Sequence, residues 1–259
     1  MKIILFDGSN WFRRRIETDI TGRVVSNCFY EIQNTLGFPI IIWDGFNALE
    51  RRRKIYPEYK QSRKPAGESI YESQDLLRKV LTLGKGVSIR VEGYEADDVI
   101  AHIARQYTGQ GYDVFIESND ADLAQLGLPM ARGEFHVPPH WIALYKTVVG
   151  DPSDNIKGAK GFGRGTWEKF EEKDLQLLEA VVCSYVNESE ERVGQHLDKL
   201  PLPKAVNTWM RSKENRKHLL NLHRIVKFMA VPQSLIDDNT QIGMNKPNLA
   251  EQIFKEYMI

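Results

Sequence analysis

Four short apolar runs, rich in β-branched residues and each followed by acids, constrain this chain more than any other feature. Residues 2–6 lead into Asp7 and residues 39–43 into Asp44. Residues 87–91 lead into Glu95, Asp97 and Asp98, and residues 113–117 into Asp120 and Asp122. Apolar runs of this length, bounded by Gly, Asn or Ser, read as strands buried on both faces. Between them lie segments of helical period. One is capped by Ser9 or Asn10 and runs through Arg15, one covers 27–36 and stops at Gly37, one covers 46–56, one covers 68–83, and one follows Glu95. Strand alternating with helix predicts an α/β fold, a mainly parallel central sheet covered by helices. Ligands bind such sheets outside the carboxyl ends of the strands. One acid at a helix start is explained by the helix dipole. Acids at four successive strand ends are not, and when crowded they repel one another unless a cation neutralises them.

The pattern changes after Gly133. Residues 136–149 read as a weak strand and then a helix. Asp151 and Asp154 follow, then a glycine-rich stretch from Lys157 to Thr166. From about residue 174 the chain reads as helical, with breaks at Pro201, Pro203 and Pro232. The expected division is 1–150, an α/β core with an irregular, polar segment at 57–65 inside a clamp at about 57–85, and 151–259, a helical region packed on that core.

The chain has 35 basic and 35 acidic side chains, which ordinarily argues against a nucleic-acid partner. Setting aside the nine acids Asp7, Asp44, Glu95, Asp97, Asp98, Asp120, Asp122, Asp151 and Asp154 leaves +9. A basic surface around an acidic pocket is then the expectation. No apolar run nears the ~18 residues of a membrane helix, and the first seven residues are charged too soon for a signal peptide. Cys28 and Cys183 lie far apart without a CxxC pair, and the six histidines lack zinc-like spacing. Both cysteines therefore read as reduced residues of a cytoplasmic protein.

Nine acids without histidine or cysteine suit Mg²⁺ or Mn²⁺. A pair of such ions can serve an in-line phosphoryl displacement, whereas the spacing of an EF-hand calcium loop is absent. The Gly158, Gly161 and Gly163 stretch superficially matches a dinucleotide fingerprint, but no buried strand precedes it. Between two helices it can instead offer backbone amides to a nucleic-acid phosphate, with Lys157, Lys160 and Arg164 adding charge. The basic-aromatic stretch holding Arg51, Arg52, Arg53, Lys54, Tyr56, Tyr59, Lys60, Arg63 and Lys64 could grip a phosphate backbone and unstacked bases.

Taken together, the stretches 5–8, 43–44, 56–63, 93–98, 118–122 and 150–163 resemble the structure-specific 5′ nucleases. These include the flap endonucleases, the 5′-nuclease domains of bacterial DNA polymerase I and the bacteriophage 5′–3′ exonucleases. The resemblance covers residues 1–170 and implies a metal-dependent hydrolase that cuts DNA phosphodiesters near 5′ ends or junctions and leaves a 5′-phosphate. It implies a first metal set of Asp7, Asp44, Glu95, Asp97 and Asp98, and a second of Asp120, Asp122, Asp151 and Asp154. It makes Lys60 and Arg63 the catalytic cations. It assigns Gly158, Gly161 and Gly163 to a helix–two-turn–helix element that holds duplex DNA and, in relatives, K⁺. The expected partners are branched, nicked or 5′-ended duplex DNA, an RNA–DNA hybrid, and replication proteins. A monomer in bacterial or phage-infected cytoplasm is expected, with no membrane association. The rival readings are a PIN-like ribonuclease and a non-catalytic junction-binding protein.

Overall fold

A computed structural model describes residues 1–64, 67–133, 135–183 and 189–257. Pro65, at the end of the expected irregular segment, lies outside the described residues, as do 184–188 of the expected helical region. In chain order the elements are β1 (Lys2–Asp7), α1 (Gly8–Thr18), α2 (Val24–Gln33), β2 (Phe38–Trp43), α3 (Glu50–Ile55), α4 (Glu68–Leu81), β3 (Val87–Arg90), α5 (Ala96–Gly109) and β4 (Asp113–Glu117). There follow α6 (Ile142–Val149), α7 (Arg164–Trp167), α8 (Glu172–Cys183), α9 (Glu190–Lys199), α10 (Lys204–Met210), α11 (Lys213–Val226), α12 (Gln233–Asp238), β5 (Thr240–Ile242) and α13 (Pro247–Tyr257). The chain forms two compact units, one of residues 1–48, 64–135 and 230–259, the other of 49–63 and 136–229. This differs from the expected division at residue 150, because β5 and α13 return to the sheet.

In the first unit the sheet order is β4-β1-β2-β3-β5, with the first four strands mutually parallel. The expected α/β class is therefore borne out. β5 is the exception: it pairs antiparallel with β3, where only helix was expected. Its three residues are too few and too exposed for a periodic signal. Alternate strand residues Ile4, Phe6, Ile41 and Trp43 pack against Trp11 and Phe12 of α1, Phe29 and Ile32 of α2, Leu77 and Val80 of α4, and Phe254 of α13. Helix α5 packs on β1, β2 and β4. Two boundaries move: α2 begins and ends about three residues before the expected 27–36, and α3 is shorter than 46–56 because residues 46–49 form turns.

The second unit is helical. No strand forms over 136–141; Pro138 and Pro139 open a single 3₁₀ turn into α6 instead, since proline cannot donate to a ladder. Its core includes Leu178, Val181 and Val182 of α8, Val193 and Leu197 of α9, and Leu219, Leu222 and Ile225 of α11. Arg216, 1% exposed, reaches both Glu190 carboxylate oxygens at 2.6 and 2.7 Å, so its buried charge is compensated.

A carboxylate edge and a glycine-loop cradle as candidate functional sites

The strand register explains how separate acids meet. Asp7 pairs with Ile42, Phe6 with Glu117, and Trp43 with Arg90, so β1, β2, β3 and β4 all end at one edge of the sheet. Asp7 closes β1, Asp44 follows β2, and Glu95 to Asp98 and Asp120 to Asp122 follow β3 and β4 across short turns. Gly45 makes this approach close. A Cβ there would stand 1.9 Å from the Val91 carbonyl oxygen, and backbone hydrogen bonds from Gly45 to Tyr94 and from Gly93 to Phe46 tie the loops together.

The caps differ from the sequence expectation. Asp7, in place of Ser9 or Asn10, caps α1, its carboxylate accepting from the Asn10 amide at 3.3 Å. The N-terminus of α5 is capped by no acid of its own cluster. Asp44 Oδ1, 52 positions away, accepts the Ala96 N–H at 2.9 Å, while Asp97 and Asp98 lie in the first turn, where the dipole also favours them. Glu95 and Asp98 are buried and Asp97 is half-buried. Asp120 accepts the Asp122 amide at 2.9 Å, and Asp122 is buried.

Asp7 reports the electrostatics of this edge. It is 7% exposed, and Ser118 Oγ donates to its Oδ2 at 2.9 Å. Burial first, then the carboxylates of Asp44 and Asp120, push it up to about 7, against the pull of the Ser118 and Asn10 hydrogen bonds. Such a carboxyl is half-protonated at neutral pH, and a cation among these oxygens would take the proton's place. All donors are oxygens, which fits a hard divalent ion. Ser118 orients Asp7 and, through the Asp120 amide at 3.0 Å, the start of the next loop. Sequence reasoning gave Ser118 no role, although it lies within the quoted 118–122 stretch.

The second unit builds a different structure. Gly150 and Gly158 both have positive φ, and a Cβ on Gly158 would lie 2.7 Å from the Gly150 nitrogen and the Val148 carbonyl oxygen. Asp151 bridges to Ile156 between them. Gly161 (φ +83°) and Gly163 are exposed, and nothing lies within 4 Å of a Cβ built on Gly163. Lys157, Lys160 and Arg164 are exposed beside them, Arg164 paired with Glu168 at 2.8 Å.

The segment 56–63 is fastened to this loop. The Lys60 amide donates to the Asp154 carbonyl, Tyr56 Oη to that of Asn155, and Asn155 Nδ2 to that of Glu58. Arg63 reaches Asp154 Oδ1 at 2.6 Å, and Lys60 Nζ, over the Tyr59 ring, lies 3.9 Å from Oδ2. Lys60 holds φ +51°, a strained backbone for a side-chain-bearing residue. Burial drives Asp154 upward, offset by Lys60 and Arg63. Burial also presses on Asp151, but Lys146 at 2.8 Å and the Ser153 hydrogen bonds hold it below the usual range. Lys146, itself buried, had no signal in the sequence beyond its place in an amphipathic helix.

Three expected DNA contacts are corrected. Gly158 is buried against the backbone of 148–150 and shapes the loop from inside. Arg52 is 2% exposed and donates to the Ile225 carbonyl at 2.8 Å, so it is a strut between α3 and α11. Tyr59 is 2% exposed and offers no open ring face to a base. Arg51 and Lys64 are exposed.

A mainly parallel α/β sheet with an all-oxygen carboxylate edge, buried at Asp7, Glu95, Asp98 and Asp122 and open at Asp44, defines a class of fold and site. Residues 19–131 match the model of the 5′–3′ exonuclease N-terminal, resolvase-like domain, and the resemblance to the 5′ nucleases is borne out. A 5′–3′ exonuclease of Aquifex aeolicus is 30% identical over 188 residues, covering 57% of this chain and 65% of that protein. DNA polymerase I of Caldicellulosiruptor bescii is 26% identical over 235 residues, covering 77% of this chain and 26% of the polymerase. The chain thus spans under two thirds of either relative. A bacteriophage T5 5′-exonuclease with bound zinc shares the fold, with TM-score 0.63 and 21% identity over 92% of this chain and 96% of that one. The bacteriophage T5 flap endonuclease, solved with DNA and metal ions, gives a TM-score of 0.59 at 20% identity, over 92% of each chain.

Proposed function

We propose that this protein is a divalent-metal-dependent 5′ nuclease, acting as a 5′–3′ exonuclease and flap endonuclease on DNA during replication or repair. The observation that carries the reading is the buried Asp7, raised to about 7 among like charges at the carboxyl edge of a parallel sheet. Asp7, Asp44, Glu95, Asp97 and Asp98 would hold a divalent ion. Asp120 and Asp122 are proposed as further ligands at this edge, and Asp151 and Asp154 as metal-ligating carboxylates of the second unit. Mg²⁺ or Mn²⁺, when bound, supplies an activated nucleophile and charge neutralisation for phosphoryl transfer. The chain's own residues do the rest. Ser118 fixes the Asp7 carboxylate, and Lys60 and Arg63 exchange Asp154 for the phosphoryl oxygens of the scissile group. The exposed turn at Gly161 and Gly163, with Lys157, Lys160 and Arg164, takes duplex phosphates, and backbone oxygens of this loop take K⁺. Arg51 and Lys64 add to the charge that guides the 5′ strand.

The Aquifex relative supports the exonuclease reading by name and the T5 flap endonuclease, solved with DNA and metal ions, the substrate class; among the described residues no helix is long and apolar enough to cross a membrane. The test compares a 5′-labelled flap, a nicked duplex and an RNA–DNA hybrid in Mg²⁺, Mn²⁺ and EDTA. Cleavage at the flap base in Mg²⁺, lost in EDTA, is expected. Cutting of an RNA hairpin with the flap left intact would favour the ribonuclease reading, and binding without cleavage in any metal would reduce the protein to a junction binder.

A further inference from the structure

Helix α8 carries a second set of donors that shares no residue with the carboxylate edge. Glu179 and Cys183 are four residues apart, so they lie on one face of α8. Helix α11 packs against α8 and brings His223 to that face. One carboxylate oxygen, the thiol sulfur and one imidazole nitrogen all lie within 4.8 Å of one another.

The histidine is aimed and oriented. It is 3% exposed, and its Nδ1 lies 3.1 Å from Thr147 Oγ1. The Thr147 hydroxyl donates to the Ala143 carbonyl at 2.7 Å, so its oxygen accepts, and Nδ1 must carry the imidazole proton. Nε2 is left with its lone pair, and it is a buried atom without a hydrogen-bond partner. Glu179 Oε1, 3.8 Å away, is beyond hydrogen-bond reach. Burial, with Lys227 nearby, pushes this imidazole down to about 4.

We propose that Glu179, Cys183 and His223 form a binding site for a zinc-class divalent ion. Thiolate, imidazole and carboxylate are the donors that such ions take, and three protein ligands leave one position for water. In a four-coordinate tetrahedral site, bonds of about 2.0 to 2.3 Å put ligand atoms roughly 3.5 Å apart, about an ångström closer than these donors stand. Side-chain rotation of the exposed Cys183 and half-buried Glu179 supplies that ångström. Thr147 then plays the orienting part of an outer-shell partner, fixing the tautomer that leaves Nε2 free to ligate. Lys227, 52% exposed and 3.7 Å from Glu179, is the cation that the ion displaces toward solvent.

Cobalt tests this, because a Co²⁺–thiolate bond absorbs in the near ultraviolet. The chain has two cysteines, and Cys28 is 1% exposed in the core of the α/β unit. Co²⁺ is titrated into the reduced full chain in excess Mg²⁺, which occupies oxygen-donor sites. A charge-transfer band saturating at one equivalent and bleached by Zn²⁺ is expected, with no band in Cys183→Ser. Thr147→Val should weaken Zn²⁺ binding by about 10- to 100-fold. Cys183→Ser should leave the metal-free urea midpoint and DNA cleavage unchanged, which separates loss of the site from misfolding. No thiolate band in the wild type, or Zn²⁺ affinity in Cys183→Ser within about twofold of wild type, would overturn the assignment.

Discussion

Replacing Asp7 by Asn should stabilise the metal-free protein, and increasingly so as the pH rises. The folded carboxyl titrates near 7, the unfolded one near 3.8. The native state therefore holds a proton that the unfolded chain has already lost, and stability falls with pH across that window. Below about pH 3.8 the group costs nothing. The cost grows between the two values and is complete above about 7, where about 3 units at 1.36 kcal/mol each amount to about 4 kcal/mol. Integrated to pH 5 it is roughly 1.5 kcal/mol, and to pH 8 roughly 4. Asn cannot ionise, so the variant should gain about 2.5 kcal/mol on wild type between about pH 5 and pH 8. The change with pH is the quantity to read, because Asn also alters the bonds from Ser118 and Asn10. Urea unfolding of both proteins in EDTA across this range measures it. In saturating Mg²⁺, which binds only the native carboxylates, wild type should recover the difference. A wild-type-minus-variant difference that stays flat with pH would refute the claim that burial and the neighbouring acids strain Asp7.

Three further outcomes follow from the second unit. Lys60→Ala and Lys60→Gly both remove the cation and should cut kcat by about 10²- to 10³-fold. The glycine variant should be more stable than the alanine variant by about 1 kcal/mol, because φ +51° suits glycine; paired urea curves and single-turnover rates check both. Gly158→Ala should unfold the loop at a cost of about 3 kcal/mol or more, since its Cβ meets backbone at 2.7 Å, whereas Gly163→Ala should leave the melting temperature unchanged and weaken DNA binding alone. Lys157→Ala and Lys160→Ala should each lower the slope of log K against log salt by about 1, measured by fluorescence anisotropy on a nicked duplex.

What the sequence made legible was whatever rests on local chemistry. The buried strands were evident because β-branched residues bounded by turn formers leave few alternatives, and β4 falls at its expected bounds. The parallel sheet and its acidic edge followed from strand alternating with helix. Features set by distant partners were not legible. The cap on α5 is Asp44, contributed by another strand end. The edge strand β5 is defined by its pairing with β3. Arg52 and Tyr59 sit in a stretch whose charge suggests a solvated face, yet one side chain spans to Ile225 and the other is enclosed. His223 joins Glu179 and Cys183 only through packing of α11 on α8, so no spacing in the sequence announces it.

The central claim is that the carboxylates at the sheet edge serve phosphodiester hydrolysis through a divalent ion while folding and DNA binding proceed without them. The most direct test measures flap binding and single-turnover flap cleavage side by side for wild type and Asp120→Asn in Mg²⁺. The account predicts a dissociation constant within about threefold of wild type, and cleavage reduced by about 10³-fold or more. Equal losses of binding and cleavage, or cleavage that persists in the variant, would contradict it.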